Sequence, residues 1–203
     1  MAFVSSWFLL DQNVELSMIN VTQLLLPALV SAVLVFLVSS LIHMLTRWHA
    51  DDFARLPNED AVLTALRPFN IVPGAYVAPR PSSMKEMGTE EFKAKLQRGP
   101  NVMINVMPNA GGGMGQQLGL WFVYAAVVAL FAGYITSRAV GAGTSSTVVF
   151  KFVAAIAAAA YSIGLWQMSI WYRRSWTVTI KSTIDGVLYG CLTAAAFAWL
   201  WPR

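Results

Sequence analysis

Cysteine is all but absent: Cys191 is the only one in 203 residues. A disulfide scaffold is therefore excluded, and so are an iron–sulfur cluster and a zinc site built on thiolates. No C-x-x-C-H occurs, which removes a covalently attached haem. Charge is scarce as well. Only 12% of the residues are Asp, Glu, Lys or Arg, against about 25% in a soluble domain. Disorder requires low hydrophobicity, whereas 57% of this chain is apolar and its mean hydropathy is +0.56. What remains is the composition of an integral membrane protein.

A helix needs about 20 mainly apolar residues to cross the hydrocarbon core. Four stretches qualify: residues 22–45, 118–137, 148–172 and 183–201. The first two carry no formal charge, the third only Lys151 and the fourth only Asp185, each near its start. A long Lys near a helix end can snorkel to the headgroups. Ahead of them, AFVSSWFLL is too short to cross and lacks the basic region of a secretory signal. Residues 1–21 are expected to be an interfacial segment with Trp7 at headgroup level.

The formal net charge of +4 invites a nucleic-acid reading, which its distribution removes. Residues 47–117 hold eight bases and seven acids, with no basic stripe. The other bases sit at or near the ends of apolar runs, where they report orientation. Arg47, Arg55, Arg98, Arg173, Arg174 and Lys181 fall on one side of the membrane. Arg138, Lys151 and Arg203 fall on the other. This bias predicts both termini outside and residues 47–117 in the cytoplasm. Within that segment Asn58 and Thr89 are candidate N-caps of short helices, with acidic residues in the first turns and Gly99-Pro100 as a stop. The stretches 71–78 and 101–107 read as extended pieces able to form a small two-stranded cap, which alone is marginal in water. Asn109–Gly115 (NAGGGMG) reads as a flexible join.

Three spans carry a small residue at every fourth position. They are Ala125, Ala129, Gly133 and Ser137 in the second span, Ala154, Ala158 and Ser162 in the third, and Gly186, Gly190, Ala194 and Ala198 in the fourth. Small residues let helix backbones approach closely, which drives association in lipid. Packing within the chain's own bundle is the simpler use. In the fourth span an interface to a second copy or another subunit is an equal alternative. The first span, rich in Leu, Val and Phe, lacks such a ladder and is expected to face lipid or pack loosely.

Chemistry-bearing residues are few. Asp185 is the one carboxylate in a span, a functional candidate by default. Lys181 four residues earlier, with Arg173 and Arg174 nearby, makes structural pairing the simpler reading. With Gln167 it would otherwise form the polar site of a small channel or transporter. His43 could be an axial ligand to haem or a chlorophyll-type pigment, though an interfacial histidine bonded to lipid or backbone is the plainer account. His49 lies six residues on, a different face of a continuous helix, so the two cannot share a ligand unless the helix breaks. Asp51-Asp52 reads as solvated surface, and Cys191 as a packing residue in the seam. No nucleophile–base order, paired-carboxylate motif, metal spacing or phosphate loop appears, so no catalytic residue and no metal ligand is assigned.

Leu165-Trp166-Gln167, Ser169-Ile170-Trp171-Tyr172, Arg174, Trp176, Lys181, Asp185-Gly186 and the run Trp199-Leu200-Trp201-Pro202-Arg203 form a distinctive pattern. It resembles that of a family of uncharacterised bacterial inner-membrane proteins, with Pro73-Gly74-x-Tyr76 and Gly99-Pro100 also similar. The resemblance implies a multi-pass protein of the bacterial plasma membrane and carries no activity with it. The expectation is an all-α membrane bundle: transmembrane helix 1 at 22–46, a small mixed α/β segment at 47–117 and helices 2–4 within 118–203. Its expected role is non-catalytic, as an accessory or structural subunit whose partners are membrane lipid and other membrane-protein subunits or a second copy. No resident cofactor is assigned.

Overall fold

The computed structural model describes residues 19–109 and 113–203. The interfacial reading of the N-terminal segment falls largely outside the described residues, as does the middle of the glycine-rich join. In chain order the elements are α1 (Leu25–Leu45), α2 (Glu59–Leu66), β1 (Gly74–Ala78), α3 (Met84–Met87) and α4 (Glu90–Arg98). There follow β2 (Val102–Val106), α5 (Gly115–Ala139), α6 (Ser146–Ser162), α7 (Trp166–Tyr172) and α8 (Trp176–Leu200). Four segments are long and apolar enough to cross a membrane: Val21–Leu45, Gly115–Ala139, Ser146–Tyr172 and Trp176–Leu200. This is a multi-pass integral membrane protein, with a two-stranded antiparallel sheet between its first and second spans. The chain divides into two compact units, residues 1–53 with 114–203, and residues 54–113.

In the larger unit α1 packs against α5 and α8, α5 against α6, and α6 most closely against α8, closing a ring of four spans. The α6–α8 approach rests on the glycines of the fourth span. A Cβ on Gly190 would lie 2.6 Å from the backbone N of Ala158, and one on Gly186 2.9 Å from Ser162 Cβ. Across the ring, a Cβ on Gly133 would collide with the Phe197 ring. Ala125, Ala129 and Ala194 are buried in the same core and Ala198 is half-buried. The ladder of the fourth span is thus spent on the chain's own third span.

Two boundaries differ from the sequence expectation. The fourth span begins at Trp176, not near residue 183, so Asp185 lies well inside the helix rather than in its first turn. The helix runs through the polar stretch because Ser182 and Thr183 donate their hydroxyls to the carbonyls of Val178 and Thr179 one turn back. The third span is interrupted by a 3-10 turn at Ile163–Leu165 before α7 resumes.

The first span is also less plain than it reads. Leu24, Ala28, Ser31, Ala32, Val35 and Ser39 form a buried stripe of mostly small residues. Ser31 donates to Thr193 Oγ1 on α8 at 3.0 Å, and Trp121 Nε1 on α5 donates to Ser39 Oγ at 2.8 Å. The bulky residues that dominated the sequence impression, Leu25, Leu26, Leu29, Val33, Leu37 and Leu41, point outward. Lipid solvates Leu as well as protein does, so that face needs no cover.

The smaller unit is built from local signals. Thr89 caps α4 by accepting from the Phe92 N–H at 3.2 Å, and Gly99, at φ +59°, ends it. Asn58 begins α2 in a different way from the expected side-chain cap. It adopts the left-handed conformation with no side-chain cap bond, and its carbonyl takes the N–H groups of Ala61 and Val62. β1 and β2 pair in register from Gly74 with Val106 to Ala78 with Val102. Among the described residues of this unit only Phe92 is buried.

Candidate functional site

The main chemistry lies in the larger unit, where the chain folds back after α1. Thr46 is extended (φ −99°, ψ 160°), which ends the helix, and its hydroxyl accepts from the Trp48 N–H at 3.2 Å. Turn bonds from Ala50 N–H to Arg47 O and from Asp52 N–H to His49 O close the reversal. His49 then lies flat on His43, ring centroids 4.3 Å apart and 10° from parallel. The helix ends where the sequence reading ends it, and the reversal that follows is what lets two histidines six residues apart meet.

His49 bridges two carboxylates. Nδ1 is 2.6 Å from Asp52 Oδ2 and Nε2 is 2.7 Å from Asp185 Oδ2. Lys181 Nζ is 3.1 Å from Asp52 Oδ1 and sits 5.6 Å from the centre of the Trp48 ring. The side chains of His49, Asp52 and Asp185 are each no more than 13% exposed. Both imidazole nitrogens face acceptors, an arrangement satisfied when both carry hydrogen, or when one carboxyl does. In the first state two carboxylates balance an imidazolium and an ammonium, so the buried charges cancel. Burial works to raise the Asp52 carboxyl, but hydrogen bonds from His49 and Lys181 outweigh it and hold that carboxyl below its usual range.

Sequence candidates fare unevenly here. Asp185 is in the cluster and buried, but its partner is His49, 136 residues away, rather than Lys181 or the arginines. Lys181 joins through Asp52. Arg174 donates to Ser182 Oγ at 3.2 Å instead of reaching Asp185. Gln167 is exposed on α7 and makes no hydrogen bond among the described residues, so the structure does not bring it to Asp185. His43 is exposed, with Nδ1 bonded to Ser39 O at 2.9 Å and one ring face covered by His49. The Asp51-Asp52 pair is divided, Asp51 exposed and Asp52 within the cluster. His49 and Asp52 are the residues that sequence reasoning passed over, since only the chain reversal makes them partners of α8. Among the described residues, no group of three or more His, Cys, Asp and Glu side chains is spaced to hold a metal ion.

Beside the cluster is a cavity of about 290 Å³ lined by Trp121, Tyr124, Tyr161, Tyr189, His43 and Asp185, among others. Its four aromatic rings pack at centroid distances of 5.5 to 6.4 Å, several edge to face. Tyr124 donates to Ala160 O at 3.1 Å, whereas the buried Tyr189 hydroxyl has no partner among the described residues. No family model, curated protein or solved structure matches the chain.

Proposed function

We propose that the chain is a non-catalytic integral membrane protein, an accessory or structural subunit of a larger membrane assembly, in which residues 54–113 dock on the partner. One observation carries this: in that unit Phe92 is the only buried side chain among the described residues. Phe69, Val72, Met84 and Met107 are each at least 66% exposed. Burying one such side chain is worth about 1.5–3 kcal/mol, and exposed apolar surface of this kind is a mark of interaction sites. The small-residue seams are occupied within the chain, which moves the weight of the reading from the spans to this unit. The Lys and Arg bias supports the cytoplasmic side for it, and the sequence resemblance supports a bacterial plasma membrane. Photo-crosslinkers at Phe69 and Met84 in native membranes should yield a discrete protein adduct, while the same probe at Leu29 yields lipid adducts. Lipid or no adducts at all three positions would count decisively against a docked partner.

A second reading, a small channel or transporter, is favoured by the bridge from Asp52 through His49 to Asp185. It would rest on those residues, without Gln167. Unchanged flux in proteoliposomes carrying Asp185→Asn would remove it.

A further inference from the structure

We propose that the cavity beside Asp185 binds a protonated primary amine, with Asp185 receiving the ammonium group and the aromatic rings receiving its carbon body. Its volume, about 290 Å³, is at the small end of ligand pockets. Four rings from three spans line it: Trp121 and Tyr124 on α5, Tyr161 on α6 and Tyr189 on α8. Aromatic faces attract a cation and repel an anion. Asp185 spends Oδ2 on His49, and its other oxygen accepts no hydrogen bond among the described residues. Tyr189, 4% exposed, keeps a buried hydroxyl without a partner. A buried polar group left unpaired is costly, and an ammonium has N–H donors for both oxygens. A neutral ligand could donate one hydrogen bond to the carboxylate but would bring no charge to meet it.

This site stands apart from the docking role of residues 54–113.

The test is calorimetry on the full chain in phosphatidylglycerol nanodiscs, titrated with benzylammonium and with neutral benzyl alcohol. Benzylammonium should bind at least about tenfold more tightly than the alcohol, the difference expected of a charged hydrogen bond. Asp185→Asn should abolish the preference for the amine. Tyr189→Phe, which removes an unpartnered hydroxyl and so should fold, should weaken amine binding several-fold. Adding phosphatidylethanolamine separates two sources of the same group. Competition would identify a lipid headgroup as the occupant, and unchanged affinity a free amine. Equal binding of amine and alcohol, no amine binding by the wild type, or a folded Asp185→Asn that keeps the preference would overturn the site.

Discussion

The two units of this chain reach order by opposite means. The membrane unit packs backbone against backbone: Gly186 and Gly190 leave no room for a Cβ, and a buried network of hydroxyls and charges ties the ring together. Its outer Leu and Val residues need no cover, because lipid is their solvent. The unit of residues 54–113 has good local chemistry, with a Thr cap, a glycine stop and a registered hairpin pair, yet almost no core. Exposure therefore means different things in the two halves. Leu29 at 54% exposed is at home in a bilayer, whereas Met84 at 80% exposed lies in a segment that the sequence reading places in water. The same measure of surface marks a finished face in one unit and an unfinished one in the other.

Filling the crossing of the third and fourth spans should have the largest effect. Gly190→Leu would drive side-chain atoms into the Ala158 backbone, which cannot yield. It should cost about 3 kcal/mol or more and separate the third and fourth spans, read as loss of cooperative unfolding in mild detergent. Gly119→Leu meets nothing within 4 Å and should leave unfolding unchanged. Equal effects would mean that close approach is not what holds the bundle.

Next comes the other unit. Phe92→Ala removes the one side chain buried among its described residues, a change that costs about 3–5 kcal/mol in an ordinary core. Amide exchange across residues 84–106 should become fast in the purified chain. The melting of the membrane unit should not move. If it did move, the two units would be energetically coupled and the contrast drawn above would fail.

A smaller effect concerns pH. The Asp52 carboxyl is held below its usual range, so its charged form stabilises the fold-back of the chain after α1. That contribution is complete above the ordinary Asp value of about 3.9 and is lost as pH falls through the lowered folded value. Amide exchange at residues 46–52 should speed up only in that acid range. Asp52→Asn should make it fast at neutral pH and remove the acid step. An acid step that survived the substitution would assign the latch to another group.

The spans were legible because hydropathy and length decide them, and the Gly186–Gly190 ladder because spacing alone puts small residues on one face. The cap at Thr89 was legible for the same local reason. The cluster was not. Its bonds join residues 136 and 129 apart, and they depend on the turns after Thr46 that fold His49 and Asp52 back toward α8, which hydrophobic pattern does not announce. The start of α8 was misplaced because charge was read as a boundary, whereas Ser182 and Thr183 satisfy themselves on the preceding turn. The small-residue stripe of α1 was hidden by the Leu and Val residues interleaved with it. A signal did exist there, in Ala28 with Ala32 and in Ser31, Val35 and Ser39 at helical spacing.

The smallest prediction separates two helix starts within the smaller unit. Thr89 Oγ1 accepts from Phe92 N–H, so Thr89→Ala should cost about 1 kcal/mol and speed amide exchange in the first turn of α4. Asn58 makes no side-chain cap bond and is held in the left-handed region at φ 50°, where glycine is at no disadvantage. Asn58→Gly should therefore change the exchange of α2 little, within about 0.5 kcal/mol. If Asn58→Gly proved as damaging as Thr89→Ala, the Asn side chain would be acting as a cap after all. In a unit with one side chain buried among its described residues, such local bonds are a large share of what holds it, and the difference between these two substitutions measures that share.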